Sequence, residues 1–368
     1  MDIGNRKLFK QFDWLLFLLA VIAGVIGVIA VSSAVSTYLN PSRFIITQTV
    51  ALIIGLLIIG VIFLFDYEHI CSFAYVIFGL CLLMLILVSI PAIGTTELGG
   101  QRWLRIGGFG FQPSEFVKIG FIITFAKHLS MIEEDINRFK NIAFLMLHAM
   151  PLIILILMND LGTGLILGVM MVVMLFFAGI NWKYIVAALG GILAAIPIFW
   201  FFVLEDFQRN RILTFLNPGL DPLGDGWQVM QSQIAVGSGQ IFGRGWLYGS
   251  THLGFLPERH NDFIFSVISE EFGFVGSMAV LLLLLGIAVR CLYIAHKAKN
   301  SLGTYICIGV SAMFLFQTIQ NVGMGIGLMP VTGIPLPFIS YGGTSILANM
   351  MAIGLVLNVR ARHKVINF

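Results

Sequence analysis

The chain has 368 residues, 58% hydrophobic and only 11% charged, with a formal net charge of +3 and a mean hydropathy of +0.97. A soluble domain of this length carries about 25% charge, so the composition excludes a soluble globular enzyme and points to an all-α integral membrane protein, one polytopic domain over residues 1–368. The small, scattered positive charge forms no basic stripe with interleaved aromatics, which excludes nucleic acid as a partner.

The polar, basic N-terminus leads into a long apolar run from Trp14. That run is too long for a signal-peptide core and shows no small-residue cleavage site, so it reads as an uncleaved first span. About 20 apolar residues cross a bilayer. By that measure about ten spans are expected, at 14–36, 44–65, 71–93, 114–128, 142–158, 164–178, 184–204, 263–290, 304–323 and 343–359. Lys and Arg set the orientation. With the N-terminus inside, 13 basic residues face in and eight face out: Arg43, Arg102, Arg105, Lys118, Arg209, Arg211, Arg244 and Arg259. Both termini are therefore expected on the cytoplasmic side. Cys71, Cys81, Cys291 and Cys307 fall in or beside apolar spans and read as small hydrophobes.

Between the third and fourth spans, Gly99-Gly100-Gln101-Arg102-Trp103-Leu104-Arg105 sets two guanidiniums beside an indole on the outer side. They suit a phosphate or headgroup, or serve as snorkelling anchors. Gln112-Pro113-Ser114-Glu115-Phe116-Val117-Lys118 opens the fourth span. Its Glu115 and Lys118 share one helix face at i, i+3 and can pair. The pairing suits either a structural ion pair or a functional one. Asp160, in Met158-Asn159-Asp160-Leu161-Gly162-Thr163-Gly164, is either an N-cap for the sixth span or a cavity carboxylate facing Lys118 or Asp262.

Residues 204–262 form a large outer loop between the seventh and eighth spans. A structureless loop of that size is unusual. Within it, residues 227–236 have amphipathic helical character, so a short interfacial helix anchored by Trp227 is expected. Arg209 and Arg211 stand on the side that positive-inside statistics disfavour, which suggests a polyanion. The loop ends in Leu256-Pro257-Glu258-Arg259-His260-Asn261-Asp262-Phe263-Ile264-Phe265, two carboxylates, a guanidinium and an imidazole at the mouth of an apolar helix. Charge there is costly and usually functional. Asp262 is the leading candidate for a catalytic base; the plainer reading makes it the N-cap of the eighth helix. Two turns deeper, at least one of Glu270 and Glu271 should face protein. Residues 330–345 carry three Pro and three Gly among small hydroxyls, the composition of a re-entrant wall or a rigid outer turn. No zinc motif, phosphate-binding loop or dinucleotide fingerprint is present, which argues against ATP-driven transport by this chain alone.

Taken jointly, Arg102-Trp103-Leu104, Gln112-Pro113-Ser114-Glu115, Asp160-Leu161-Gly162-Thr163, Gln231-Ser232, Leu256-Pro257-Glu258-Arg259-His260 with Asp262-Phe263, and Ile339-Ser340-Tyr341-Gly342-Gly343 resemble the SEDS family of membrane peptidoglycan glycosyltransferases. Glu258-Arg259-His260 and Gly333-Ile334-Pro335-Leu336-Pro337-Phe338 are most similar to its elongation branch. The resemblance covers essentially the whole chain. It departs at Asn261, where the family usually has Thr, and at Leu253-Gly254-Phe255, where an acidic residue often precedes the Phe.

The resemblance implies a bacterial cytoplasmic-membrane enzyme that polymerises lipid II into glycan strands during cell elongation. Its implied partners are a class B penicillin-binding protein (the transpeptidase), undecaprenyl-linked glycan and other elongation-complex membrane proteins. The family's essential Asp maps to Asp262, and its cavity residues map to Glu115, Lys118 and Asp160. Lys118, Arg102, Arg209 and Arg211 are candidates for the departing pyrophosphate, alone or with a divalent cation such as Mg or Mn. Two other function classes compete: a lipid-precursor flippase or transporter, which would carry polar sites at the bilayer midplane, and a non-catalytic scaffold for a transpeptidase. Here the polar residues crowd the outer ends of the spans.

Overall fold

The computed structural model describes residues 11–91, 94–97, 100–106, 109–203, 206–217, 224–249 and 256–362. The helices are α1 (Trp14–Ala34), α2 (Pro41–Leu64), α3 (Tyr67–Ser72), α4 (Ala74–Ser89), α5 (Pro113–Met131), α6 (Phe139–Leu157), α7 (Leu161–Phe177), α8 (Trp182–Ile198), α9 (Asp206–Leu216), α10 (Asp225–Ser238), α11 (Ile264–His296), α12 (Ser301–Gly325) and α13 (Gly343–Ala361). Each expected span falls on a helix. Six of them, α1, α2, α6, α11, α12 and α13, are long and apolar enough to cross a membrane among the described residues. The helix α5 has the length to cross but carries Glu115, Lys118 and Lys127.

Burial sorts the helices into an inside and an outside. In α13 83% of the membrane-length window is buried and in α12 72%, against 28–39% for the other four. Thus α12 and α13 form the centre, with α11, α7 and α5 packed on α12 and with α2 and α5 on α13. The outer helices present Leu, Ile and Phe to lipid, where apolar exposure is no cost. All four cysteines are free and buried.

One connection differs from expectation. The connection between α4 and α5 is a three-stranded antiparallel sheet, β1 (Gly94–Glu97), β2 (Gly100–Ile106) and β3 (Phe109–Phe111), in the order β1-β2-β3. Short, glycine-rich strands carry too little alternation to stand out from a loop. The large outer loop holds a helix where one was expected, α10 covering 227–236. Its segment α10 packs on α11 through Val229, Ser232 and Ala235, and Ser232 Oγ meets Ser266 Oγ at 2.6 Å and donates to the Gly325 carbonyl at 2.6 Å.

The eighth span is not continuous. At 33 residues, α11 would reach about 50 Å, well beyond a hydrocarbon core of about 30 Å, and it breaks at Gly273 (φ 65, ψ −160). The break opens backbone groups that the 240–245 segment satisfies. Phe274 and Val275 donate to the Gln240 and Ile241 carbonyls at 2.8 and 3.1 Å, and Arg244 and Gly245 donate to the Glu270 and Glu271 carbonyls at 2.9 and 3.0 Å. Both Glu270 and Glu271 are buried there. Glu271 accepts from Ser33 of α1 and from Leu247 N–H, and Arg244 lies 3.8 Å from Glu270.

The Gly273 conformation is open to essentially no other residue, and a Cβ there would also stand 2.6 Å from Ile241 backbone. Gly273→Ala is expected to cost about 1–3 kcal/mol from strain alone, seen as a lowered thermal midpoint of the detergent-purified chain.

Candidate active site

Arg102, Asp160 and Asp262 come together from three parts of the chain. Arg102 lies on the central strand β2, and its Nε donates to the Asn159 carbonyl at 3.1 Å. Its Nη1 lies 3.8 Å from Asp160 Oδ1. Asp160 is the N-cap of α7: it accepts from Thr163 N–H at 3.2 Å and from Thr163 Oγ1 at 2.9 Å. Capping and ion pairing are thus both roles of the same side chain, whose cation is Arg102.

The 330–341 segment supplies the bridge to Asp262. A Cβ placed on Gly333 would stand 3.4 Å from Asp262 Oδ2 and 3.5 Å from Arg102 Nη1, so carboxylate and guanidinium flank a methyl-sized gap. Gly333 has φ +69, the left-handed region that a Cβ disfavours. Its neighbours are braced by α12. Gln320 donates to the Pro330 carbonyl at 3.3 Å and to Thr332 Oγ1 at 3.1 Å, and Asn321 Nδ2 donates to both the Asp262 and Ile334 carbonyls at 2.8 Å. Asp262 is only 6% exposed. It is not the N-cap of α11, since Phe263 holds that position without a side-chain cap; the plainer reading of Asp262 is therefore corrected.

A second pair lies next to this string. Glu115 Oε1 accepts from Lys118 Nζ at 2.9 Å, with both side chains almost fully buried. Ser114, one residue before Glu115, shares with Arg102, Asn159 and Asp160 a cavity of about 20 Å³, room for one water. Asp262, Arg102 and Asp160 thus form one string, and the Glu115–Lys118 pair begins one residue after Ser114, which lines the cavity at Asp160.

Other candidates hold the frame. Arg259 turns away from the carboxylates. It donates from Nε to the Ala34 carbonyl at 2.7 Å and from Nη2 to Thr37 Oγ1 at 2.6 Å, and its guanidinium stacks 4.9 Å from the Tyr38 ring. Ala34 ends α1, where orphan carbonyls and the dipole favour a cation. His260 Nδ1 lies 3.3 Å from Tyr38 Oη, and its ring packs among Phe44 and Tyr341. The Tyr341 N–H donates to the His260 carbonyl at 2.9 Å, and Ser340 Oγ donates to the Asn261 carbonyl at 2.7 Å. A cavity of about 670 Å³ lies beyond this aromatic group, lined by Tyr38, Arg43, Phe44 and Tyr341 and not by Asp262. Ser232 clamps α10 onto α11 and α12, and Gln231 and Glu258 are half-buried. Arg209 Nη2 donates to the Phe201 carbonyl at 3.3 Å, within its own hairpin. The side chain of Arg211 and residues 250–255, including Leu253-Gly254-Phe255, lie outside what is described.

Burial, reinforced by the neighbouring Arg259 charge, pushes the His260 imidazole down from 6.5 to about 4. A depressed folded-state value means that the unfolded chain binds the proton first as pH falls, so this contribution to stability is intact above about 6.5 and is lost as pH falls towards 4. His260→Phe keeps an aromatic ring in the cluster and is expected to flatten the loss of thermal stability between pH 7 and pH 5, measured by unfolding at the two values.

The family model for FtsW, RodA and SpoVE, described as cell cycle protein, matches residues 10–365. The probable peptidoglycan glycosyltransferase FtsW of Geobacter sulfurreducens is 35% identical over 373 residues, covering 99% of both chains. The peptidoglycan glycosyltransferase MrdB of Escherichia coli K12 is 38% identical over 305 residues, 82% of this chain and 80% of that one. Among solved structures, a chain of a peptidoglycan synthase complex that coordinates polymerization and crosslinking aligns with a TM-score of 0.81 at 31% identity, over 95% of this chain and 97% of that one. Thermus thermophilus rod shape determining protein RodA aligns with a TM-score of 0.70 at 28% identity, over 95% and 96%.

Proposed function

This chain belongs to the FtsW/RodA/SpoVE family, and from that membership we propose that it polymerises lipid II into glycan strands with Asp262 as the general base. It is a multi-pass membrane protein and a peptidoglycan glycosyltransferase, as its relatives are named. The elongation branch, the bacterial inner membrane and cytoplasmic termini are our finer reading. So is a class B penicillin-binding protein as transpeptidase partner, for which the support is the likeness to a chain of a synthase complex.

One observation carries the assignment. Asp262 Oδ2 and the Arg102 guanidinium both lie against Gly333, so this carboxylate has a cation beside it. The acceptor sugar hydroxyl of lipid II gives its proton to Asp262 as its oxygen attacks the anomeric carbon of the lipid-linked glycan. A new C–O bond forms, the anomeric carbon–phosphate oxygen bond breaks, and undecaprenyl pyrophosphate leaves with the electron pair. A single displacement inverts the centre and needs one carboxylate, unlike the nucleophile-and-acid pair of retaining chemistry. Asp160 is held by Thr163 and Arg102 and acts on the guanidinium instead.

Arg102 faces the developing negative charge of the leaving group, whereas Lys118, fully buried and matched by Glu115, does not meet it. No cluster of three or more acidic, His or Cys ligands occurs among the described residues. A divalent cation such as Mg or Mn therefore fits only as an ion that takes its remaining ligands from water and pyrophosphate oxygens, a coordination habit of Mg²⁺. Asp262 is the residue that would hold it, since Asp160 is engaged by Thr163 and Arg102. When bound it would neutralise leaving-group charge.

Asp262→Asn is expected to reduce polymer formation from labelled lipid II by about 10²–10⁴-fold per folded molecule, the usual contribution of a positioned base, and to lower the thermal midpoint because Arg102 loses a matching charge. Arg102→Lys should leave activity low, because an ammonium cannot reproduce the planar fork. Polymer from the Asn variant at the wild-type rate would remove Asp262 from the role of base.

A further inference from the structure

Gln317 lies in the middle of α12 with no measurable exposure, and neither its amide oxygen nor its amide nitrogen has a protein partner. The same holds for Glu115 Oε2, Ser114 Oγ and Asn349 Oδ1, all buried. Such groups are rare in native interiors and are met by ordered water.

These atoms lie within about one helical turn of each other in depth. The helix α12 runs antiparallel to both α5 and α13. A Cβ on Gly309 of α12 would lie 3.2 Å from the Ile122 side chain of α5, and one on Gly303 would lie 2.9 Å from Val359 of α13. Two turns outward from Gly309 comes Gln317. One to two turns outward from Ile122 come Lys118, Glu115 and Ser114. Three to four turns outward from Val359 come Asn349 and Ser345. At about 1.5 Å per residue, Glu115, Ser114 and Ser345 fall level with Gln317, and Lys118 and Asn349 lie about one turn deeper.

The amide also matches what that pair lacks. Lys118 has one acceptor, Glu115 Oε1, and an ammonium has three protons. Glu115 has a second oxygen in need of a donor. One amide offers an acceptor and a donor at the same tip, which neither a carboxylate nor an ammonium does.

We propose that Gln317 is a positioning residue: through ordered water its carbonyl takes a proton of Lys118 and its NH₂ reaches Glu115 Oε2, closing a hydrogen-bonded ring that fixes this ion pair beneath the Asp160–Arg102–Asp262 string. The inference rests on the polymerase reading above, because its consequence is for turnover. Substrate does not touch Gln317; the residue acts through the pair.

The test compares wild type, Gln317→Leu and Gln317→Asn in the purified full-length chain with its transpeptidase partner, by thermal unfolding and by initial polymerisation rates over a range of lipid II. Leu leaves Glu115 Oε2 and a Lys118 proton without the amide that meets them, so the expected thermal midpoint lies somewhat below that of wild type. Its kcat should fall about 10–100-fold, as for other residues that orient a reacting group from behind, with KM little changed. Asn keeps both ends of the amide and should recover part of kcat. A lowered thermal midpoint with unchanged kcat per folded molecule would make Gln317 a packing residue and overturn the proposal. If the Leu variant does not fold, an experimental density map decides: water joining Gln317 to Glu115 and Lys118 supports the ring, and a dry amide packed on apolar side chains refutes it. Asp262→Asn, run in parallel, reports separately on the polymerase reading.

Discussion

A guanidinium withdrawn from water has to be matched by oxygen, and the way Arg102 is matched organises the outer half of this protein. Its Nε takes the Asn159 carbonyl and its Nη1 faces Asp160. Across the Gly333 gap it meets Asp262. The first two contacts come from the α7 N-terminus and the third from the turn before α11, across the irregular segment after α12. Removing one member leaves a buried charge without compensation, which costs far more than the pair itself contributes. The small sheet follows from the same constraint, because β2 is what delivers Arg102 to that point.

Asp262 is held almost entirely by neighbours that do no chemistry. Asn321 takes its carbonyl, Ser340 takes that of Asn261, and Tyr341 takes that of His260. Gln48 on α2 donates to the Ser340 carbonyl at 3.0 Å and accepts from Gly342 N–H at 3.2 Å. Arg259 ties the same turn to the end of α1. The turn is therefore stitched to three helices by main-chain acceptors, so its path depends little on its own side chains beyond Arg259. A carboxylate placed this way needs no rearrangement to meet a substrate, the preorganised arrangement that electrostatic catalysis requires.

Most of the fold was legible because hydrocarbon imposes one rule, a long apolar stretch, and each expected span falls on a helix. What escaped had a local signal too short or a cause too distant. The strands at 94–111 offer only a few alternating residues between glycines. The break in α11 shows in sequence as a lone Gly273, and its compensation comes from residues 240–245. In the site, charged residues at helix mouths marked Asp262, Glu115, Lys118, Asp160 and Arg102. The same criterion could not separate Arg259, whose partner Ala34 is a backbone carbonyl more than 200 residues away. Gln317 left no mark, since a single amide in an apolar run matches no motif; only burial without partners singles it out.

The repair of the α11 break is made by main chain, with four amide–carbonyl links between 240–245 and 270–275, while Phe242 and Tyr248 point outward with 81% and 80% of their surface free. Spelling and spacing are therefore under opposite constraints in this hairpin. Its outward letters can be rewritten freely, but its length is fixed like that of a rung in a ladder. An insertion or deletion of one residue would shift every link at once and unseat the upper part of the helix that begins beside Asp262.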